Sequence, residues 1–282
     1  MTETRCLEPG NPEFPPVLSA IDPPVEQLWV IGKNLNDLGP PVAIIGARGP
    51  TAYGLDVAHR LASELASLGI CIVSGMARGI DAAAHEGALS AGGTTLAVLG
   101  TGIDRPYPVV NRQLYARIVE TGAVVSEYPP GGSAHKHHFV ARNRIIAALS
   151  LGTILVQSRG FKSGAMTTIE ACNRYGRDVL AVPGDVRSEL SIGPHQLLRE
   201  GAAVCAGAAD VLETLETRLA ETGMSRFGPL ESKMIKALRK EPVSPEALAA
   251  KIEADPIAVA RALGRLELCG VVVREHGAYR TA

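Results

Sequence analysis

Aromatic side chains make up only 4% of the 282 residues, with a single tryptophan, so the core must be built from Ala, Val, Ile and Leu. Net charge is nearly absent. The 28 Lys and Arg against 29 Asp and Glu leave −1, which excludes a globally basic nucleic-acid binder but leaves room for a local basic patch. No apolar run approaches the ~18 residues of a membrane span, and no charged segment followed by an apolar stretch opens the chain. Disulfide patterns are missing too. The five cysteines (Cys6, Cys71, Cys172, Cys205, Cys269) are odd in number and include no CxxC, which reads as free thiols, mostly buried, in a reducing compartment. These absences together predict a cytoplasmic protein with no membrane contact. Hydrophobic residues at 46% and charged residues at 20% exclude a largely disordered chain, and the length suits one core domain plus a small module.

The first forty residues are proline-rich and acidic, with Arg5 and Lys33 against six carboxylates. Their one aromatic anchor is Trp29, and the segment 1–40 reads as an arm or cap. From Pro41 short apolar runs alternate with helical stretches. Val42–Gly46 is a strand ending in glycine, and Tyr53–Leu68 carries apolar residues at the i, i+3, i+4, i+7 spacing of an amphipathic helix. Further strands are expected at Ile70–Val73, Thr94–Leu99, Ala123–Ser126, Thr153–Gln157 and Asp178–Val182. Helices are expected at Asp81–Ser90, Val110–Glu120, Phe139–Leu149 and Gly164–Tyr175. Strands apolar on both faces and separated by helices predict an α/β fold, a Rossmann-like parallel sheet covered on both sides, over residues 41–221. Residues 222–228 read as a linker. In 229–282, three short helices and a two-strand hairpin through Gly277 predict a winged-helix domain, with Ser244 capping its second helix ahead of Pro245.

In a parallel sheet ligands gather at the carboxyl ends of the strands, where helix N-termini expose unpaired N–H groups. The loop Gly46-Ala-Arg48-Gly-Pro-Thr51 is neither GxGxxG nor a Walker loop, and it reads either as a phosphate-approaching turn with Arg48 or as a tight turn with a solvated Arg. Ser74–Asp81 repeats the theme with Arg78, which is free for an anion or paired with Asp81. His85-Glu86 lacks the second histidine of a zinc-protease motif. Residues 135–187 hold eight Lys and Arg against three Asp and Glu, a surplus of +5, so the rest of the chain carries −6. Within that window Lys136, Arg142 and Lys162 interleave with Phe139. Cations that track phosphates beside a ring that stacks on a base are what a single strand needs, although Phe139 also suits a core staple. His135, His137 and His138 have no carboxylate or thiolate companions, so no metal is expected. No nucleophile–base pair stands out, and no catalytic residue or cofactor is predicted.

Several motifs then appear in one order. They are Ile45-Gly-Ala-Arg48, Ser74-Gly-Met-Ala-Arg-Gly-Ile-Asp-Ala-Ala-Ala-His85, Val98-Leu-Gly-Thr-Gly-Ile-Asp104 with Tyr107-Pro108 and Asn111, Ser126-Glu-Tyr-Pro-Pro130, Phe139 with Arg142-Asn-Arg-Ile-Ile146, Ser163-Gly-Ala, and Ala181-Val-Pro-Gly184. Over roughly residues 8–215 the chain closely resembles the DprA/Smf family of DNA-processing proteins, with a tail like that family's winged helix. The resemblance implies a homodimeric single-stranded-DNA-binding protein of natural transformation and recombination that protects strands and loads RecA, without catalytic turnover. Carried over by motif, Gly46 and Arg48 are phosphate contacts, Lys136 and Phe139 the strand-binding pair, and Arg78, Arg142, Asn143 and Lys162 further DNA contacts. The alternative is a nucleoside-monophosphate phosphoribohydrolase, faintly echoed by Ser163–Glu170. For the winged helix, with nine Lys and Arg against seven acids, an interaction module is preferred over duplex binding.

Overall fold

A computed structural model describes residues 3–160, 163–221, 229–238, 241–268, 271–275 and 277–281. The chain divides into two units, Met1–Leu219 and Ala220–Ala282. In the first, the apolar runs form strands because each buries side chains on both faces, as in β3 (Pro41–Ile45), β4 (Cys71–Ser74), β5 (Thr95–Leu99), β6 (Ala123–Ser126) and β7 (Gly152–Leu155). Before them come β1 (Arg5–Leu7) and β2 (Leu28–Gly32), and after them β8 (Asp178–Ala181) and β9 (Ala203–Val204). Between and after these strands run α1 (Ala52–Ser67), α2 (Ile80–Ser90), α3 (Arg112–Thr121), α4 (Lys136–Leu149), α5 (Gly164–Arg174), α6 (Ile192–Arg199) and α7 (Ala208–Glu221).

The nine strands form one sheet in the order β1-β2-β6-β5-β4-β3-β7-β8-β9. From β6 to β9 every pairing is parallel, so the expected Rossmann-like sheet is present. The first forty residues contribute strands to this sheet. β2 runs antiparallel to β6 with Val30 opposite Val125, and β1 runs antiparallel to β2. Leu28 and Val30 are fully buried there. The Arg5 guanidinium pairs with Glu13 at 2.8 Å and donates to the Gly32 and Lys33 carbonyls, which fastens the edge. α6, β9 and α7 follow the last strand that the sequence pattern predicts. Of the cysteines, Cys6 is exposed and Cys71, Cys172 and Cys205 are buried and free, while Cys269 lies outside the described residues. Among the described residues no helix is long and apolar enough to cross a membrane.

The second unit comprises α8 (Pro229–Leu238), α9 (Pro245–Ile252), α10 (Pro256–Leu268) and the hairpin β10 (Val272–Glu275) and β11 (Ala278–Thr281), the predicted winged helix. Its core includes Met234, Leu248, Val259, Leu263 and Tyr279. The Ser244 hydroxyl caps α9 by accepting from the Ala247 N–H at 3.3 Å. The predicted linker 222–228 lies outside the described residues.

Candidate nucleic-acid interface

From β3 the chain winds outward through β4, β5 and β6, then crosses back to add β7, β8 and β9 on the other side. At such a switch point the loops after β3 and β7 diverge and open a crevice at the carboxyl end of the sheet. Here the crevice is ≈ 630 Å³, walled by both loops and one flank of α4.

The loops seat on one another through glycine. The Ala47 N–H donates to the Gln157 carbonyl at 2.8 Å, and the Ile80 N–H donates to the Ala47 carbonyl at 3.2 Å. A Cβ on Gly46 would lie 2.7 Å from Ile80 Cγ1. Gly79 has φ +79° and its missing side chain would run into the Ala47 carbonyl, so both close approaches require glycine. Arg48 and Arg78 then project from adjacent turns, both exposed. On the far side, Ser163 precedes α5 but turns its Oγ to Ser158 Oγ at 2.6 Å instead of capping the helix. Ser163 and Gly164 line the crevice, so the uncapped first-turn N–H groups and the positive end of the α5 dipole border it.

Beneath the crevice lies a buried polar floor. Arg142 is 4% exposed and donates to the Gly75 carbonyl at 2.6 Å and to the Val98 carbonyl. Burial first, and then the nearby Arg48 charge, push its guanidinium down to about 10, still cationic at neutral pH, while Asp81 favours the charge. Asp81 accepts from the Gly75 and Ala77 N–H groups at 3.2 and 3.3 Å, not from Arg78; burial pushes its carboxyl up, and Arg142 is the largest counterweight. His85 sits alongside. Thr95 donates its hydroxyl to the Ile72 carbonyl at 2.6 Å, so it accepts from His85 Nδ1 at 2.7 Å, which fixes the tautomer and leaves Nε2 bare.

Of the predicted site residues, Gly46, Arg48, Lys136, Phe139, Arg142 and Asn143 all line the crevice. Arg78 lines an adjoining recess together with Arg48, Phe139 and Arg142. Lys162 lies outside the described residues. Lys136 is exposed at the first turn of α4. Phe139, one turn on, is half-buried, packed on Gly100 and against Tyr107 with ring centroids 5.2 Å apart. Among the described residues none of Arg48, Arg78 and Lys136 forms an ion pair. Asn143 is committed internally, its amide donating to Gly164 O at 3.1 Å and Thr167 Oγ1 at 2.7 Å, which braces the start of α5. Arg144 faces the opposite side of α4 and binds Glu127 through both nitrogens, at 2.5 and 2.8 Å. Tyr107 and Arg159 also line the crevice and escape the sequence-based selection. The aromatic signal at Tyr107 stands beside Pro108 in the sequence, but nothing local places that loop next to α4. His138 stacks on Tyr128 and meets His135 and His137 edge-on, and among the described residues no His, Cys, Asp and Glu group is placed to hold a metal ion. Glu170, the acid of the hydrolase alternative, is exposed on α5 and absent from the described lining.

A family model described as DNA recombination-mediator protein A matches residues 5–216, three-quarters of the chain. The chain belongs to this family. A DprA winged helix domain model matches residues 228–278 of the same chain. A DNA processing protein DprA of Mycobacterium tuberculosis is 44% identical over 188 residues, 66% of this chain; the chain spans about half, 48%, of that relative's length. The X-ray structure of DprA from Streptococcus pneumoniae superposes with a TM-score of 0.71 at 40% identity, covering 75% of this chain and 74% of that one. The Helicobacter pylori DprA structure, described for its single-stranded DNA binding mode, matches with a TM-score of 0.68 at 32% identity, covering 77% of this chain and 97% of that one.

Proposed function

We propose that this DprA-family chain binds single-stranded DNA in the switch-point crevice, protects it, and presents it as a homodimer to a RecA-type recombinase, without catalytic turnover. The observation that carries the reading is the set of three unpaired exposed cations, Arg48, Arg78 and Lys136, grouped around the half-buried Phe139. Unpaired cations cost little to bring onto phosphates, because no carboxylate has to be released first. A ring anchored on one flank and open on the other offers a stacking platform to any unstacked base. The uncapped start of α5 adds N–H donors for a phosphate oxygen. Each of these groups binds and orients a strand, and none needs to move a proton. The single-stranded DNA binding described for the Helicobacter pylori neighbour supports the same occupant here.

RecA loading and dimerisation rest on the family resemblance. The winged-helix unit is assigned to protein interaction, because three of its nine cations are already paired. Arg265 is held by Glu231, Arg280 by Glu275 and Lys251 by Glu241, which leaves a thin basic face for a duplex groove.

The deciding experiment titrates the purified protein with a labelled poly-dT strand and a matched duplex at two salt concentrations. Salt-sensitive binding that favours the single strand is expected, with RecA filament growth on the bound strand as the following assay. A duplex preference would move DNA binding to the winged helix. No binding to either, by a folded protein, would reopen the mononucleotide enzyme, tested by release of free base and its loss in Glu170→Gln.

A further inference from the structure

We infer that the recess beside the main crevice is a base-receiving subsite and that Tyr107 is a stacking residue within it; this rests on reading the crevice as a single-strand groove. The recess, ≈ 430 Å³, adjoins the groove and is lined by Arg48, Arg78 and Arg142 together with Tyr107 and Phe139. That lining suits both parts of a nucleotide, the exposed Arg48 and Arg78 guanidinium groups for a phosphate and the rings for a base.

Tyr107 is 48% exposed, and among the described residues its hydroxyl has no hydrogen-bond partner, which leaves both open to a ligand. It is tilted 41° to the Phe139 ring at 5.2 Å, and the two form a corner open toward the recess. The loop that presents it is firmly placed. Buried Asn111 donates from Nδ2 to the Met76 and Ala77 carbonyls at 2.9 and 3.2 Å, which ties the Tyr107 loop to the turn that carries Arg78. Met76 itself has φ +61° with its side chain fully buried, a left-handed backbone that non-glycine residues rarely adopt and that sets the direction of Ala77 and Arg78. The loop of the ring and the turn of the cation are therefore joined by hydrogen bonds. A strand following the groove past Lys136 and Phe139 meets this corner, where one base can leave the stack with its phosphate between Arg48 and Arg78. An apolar peptide segment in the same recess would leave those guanidinium groups without a counter-charge.

The test compares wild type, Tyr107→Ala, Tyr107→Phe and Arg78→Ala on a poly-dT strand and on an abasic deoxyribose-phosphate strand of equal length. Tyr107→Ala is expected to weaken poly-dT binding by roughly 5- to 150-fold with an unchanged salt slope, and Tyr107→Phe to restore it. On the abasic strand wild type and Tyr107→Ala should bind alike, because no base remains to stack. Arg78→Ala should lower the salt slope by ~0.7 on both strands. Salt-dependent binding by wild type with no effect of Tyr107→Ala, or an equal loss on the abasic strand, would overturn the subsite alone. Absence of salt-dependent binding by wild type would overturn the groove reading and the subsite with it. Free thymidine monophosphate serves as competitor. Displacement at concentrations near the strand's own Kd would point to a mononucleotide site and overturn the strand assignment.

Discussion

Arg48 and Arg142 are the same residue type and both are predicted DNA contacts, but the fold gives them opposite work. Arg48 stands exposed and unpaired at the mouth of the crevice, while Arg142 is spent on the carbonyls that end β5 and open the turn after β4. Arg48→Ala and Lys136→Ala are therefore expected to weaken any single strand regardless of sequence and to lower the salt slope by ~0.7 each, read from titrations at several ionic strengths. An unchanged slope in both would show that the groove lies elsewhere. Phe139→Ala should cost ~1–3 kcal/mol of strand affinity in a folded protein. Arg142→Ala should act on stability instead, by about 3–5 kcal/mol in denaturant unfolding, because it strands two buried carbonyls and removes the charge facing buried Asp81. His85 makes a pH-dependent counterpart. Burial, reinforced by the Arg142 charge, pushes its imidazole from 6.5 down to about 3. The unfolded chain then binds the extra proton first, so this contribution is complete above about pH 6.5 and is lost as pH falls toward 3, with a slope of up to ~1.4 kcal/mol per pH unit. Wild type should lose stability faster than His85→Gln across that window, and parallel profiles would refute the account. At this scale the sequence shows which side chains carry charge and rings, but not which are already committed: Asn143 and Arg142 have the same local context as Phe139, and only tertiary partners separate them.

Elements with strong periodicity were legible because one face of each is apolar at a fixed spacing. α1 shows Ala58, Leu61, Ala62 and Leu65 buried, as its spacing predicts, while Leu55 at the start of the same stripe is exposed and Val57 is buried instead. Those that escaped are short or borrowed. β9 has two residues, and β1 has three that gain their partners only from β2, so neither leaves a pattern to read. α4 starts three residues earlier than its apolar run, because Lys136 and His137 are exposed in its first turn and His138 packs on Tyr128. That turn carries the proposed Lys136 contact. The closeness of α1 and α2 depends on Gly87, since a Cβ there would run into the His59 carbonyl and lie 2.9 Å from Ala62 Cβ. Gly87→Ala should force the helices apart at about 1–3 kcal/mol. Thermal unfolding should register this as a fall of about 2–4 °C per kcal/mol. Unchanged Tm would mean that the helices can slide without loss.

At the scale of the whole molecule, near-zero net charge conceals a division, with +5 over residues 135–187 and −6 over the rest. The sequence disclosed that concentration and the fold class, but not the switch point where the basic segment meets the loops after β3, which requires the strand order. Because every crevice residue lies in the first unit, a chain ending at residue 221 should keep the single-strand affinity and salt slope of the full protein. A large loss on this truncation, with the fragment folded, would assign part of the strand site to the winged helix. The sheet edge has a further consequence during synthesis. β2 pairs with β1 on one side and with β6, not the strand that follows it in sequence, on the other, so the second edge of its apolar Leu28–Ile31 segment has no partner until about a hundred further residues have been made. At an elongation rate of ~5–20 residues per second, that edge waits about 5–20 s for β6, long enough for holdase chaperones to meet it.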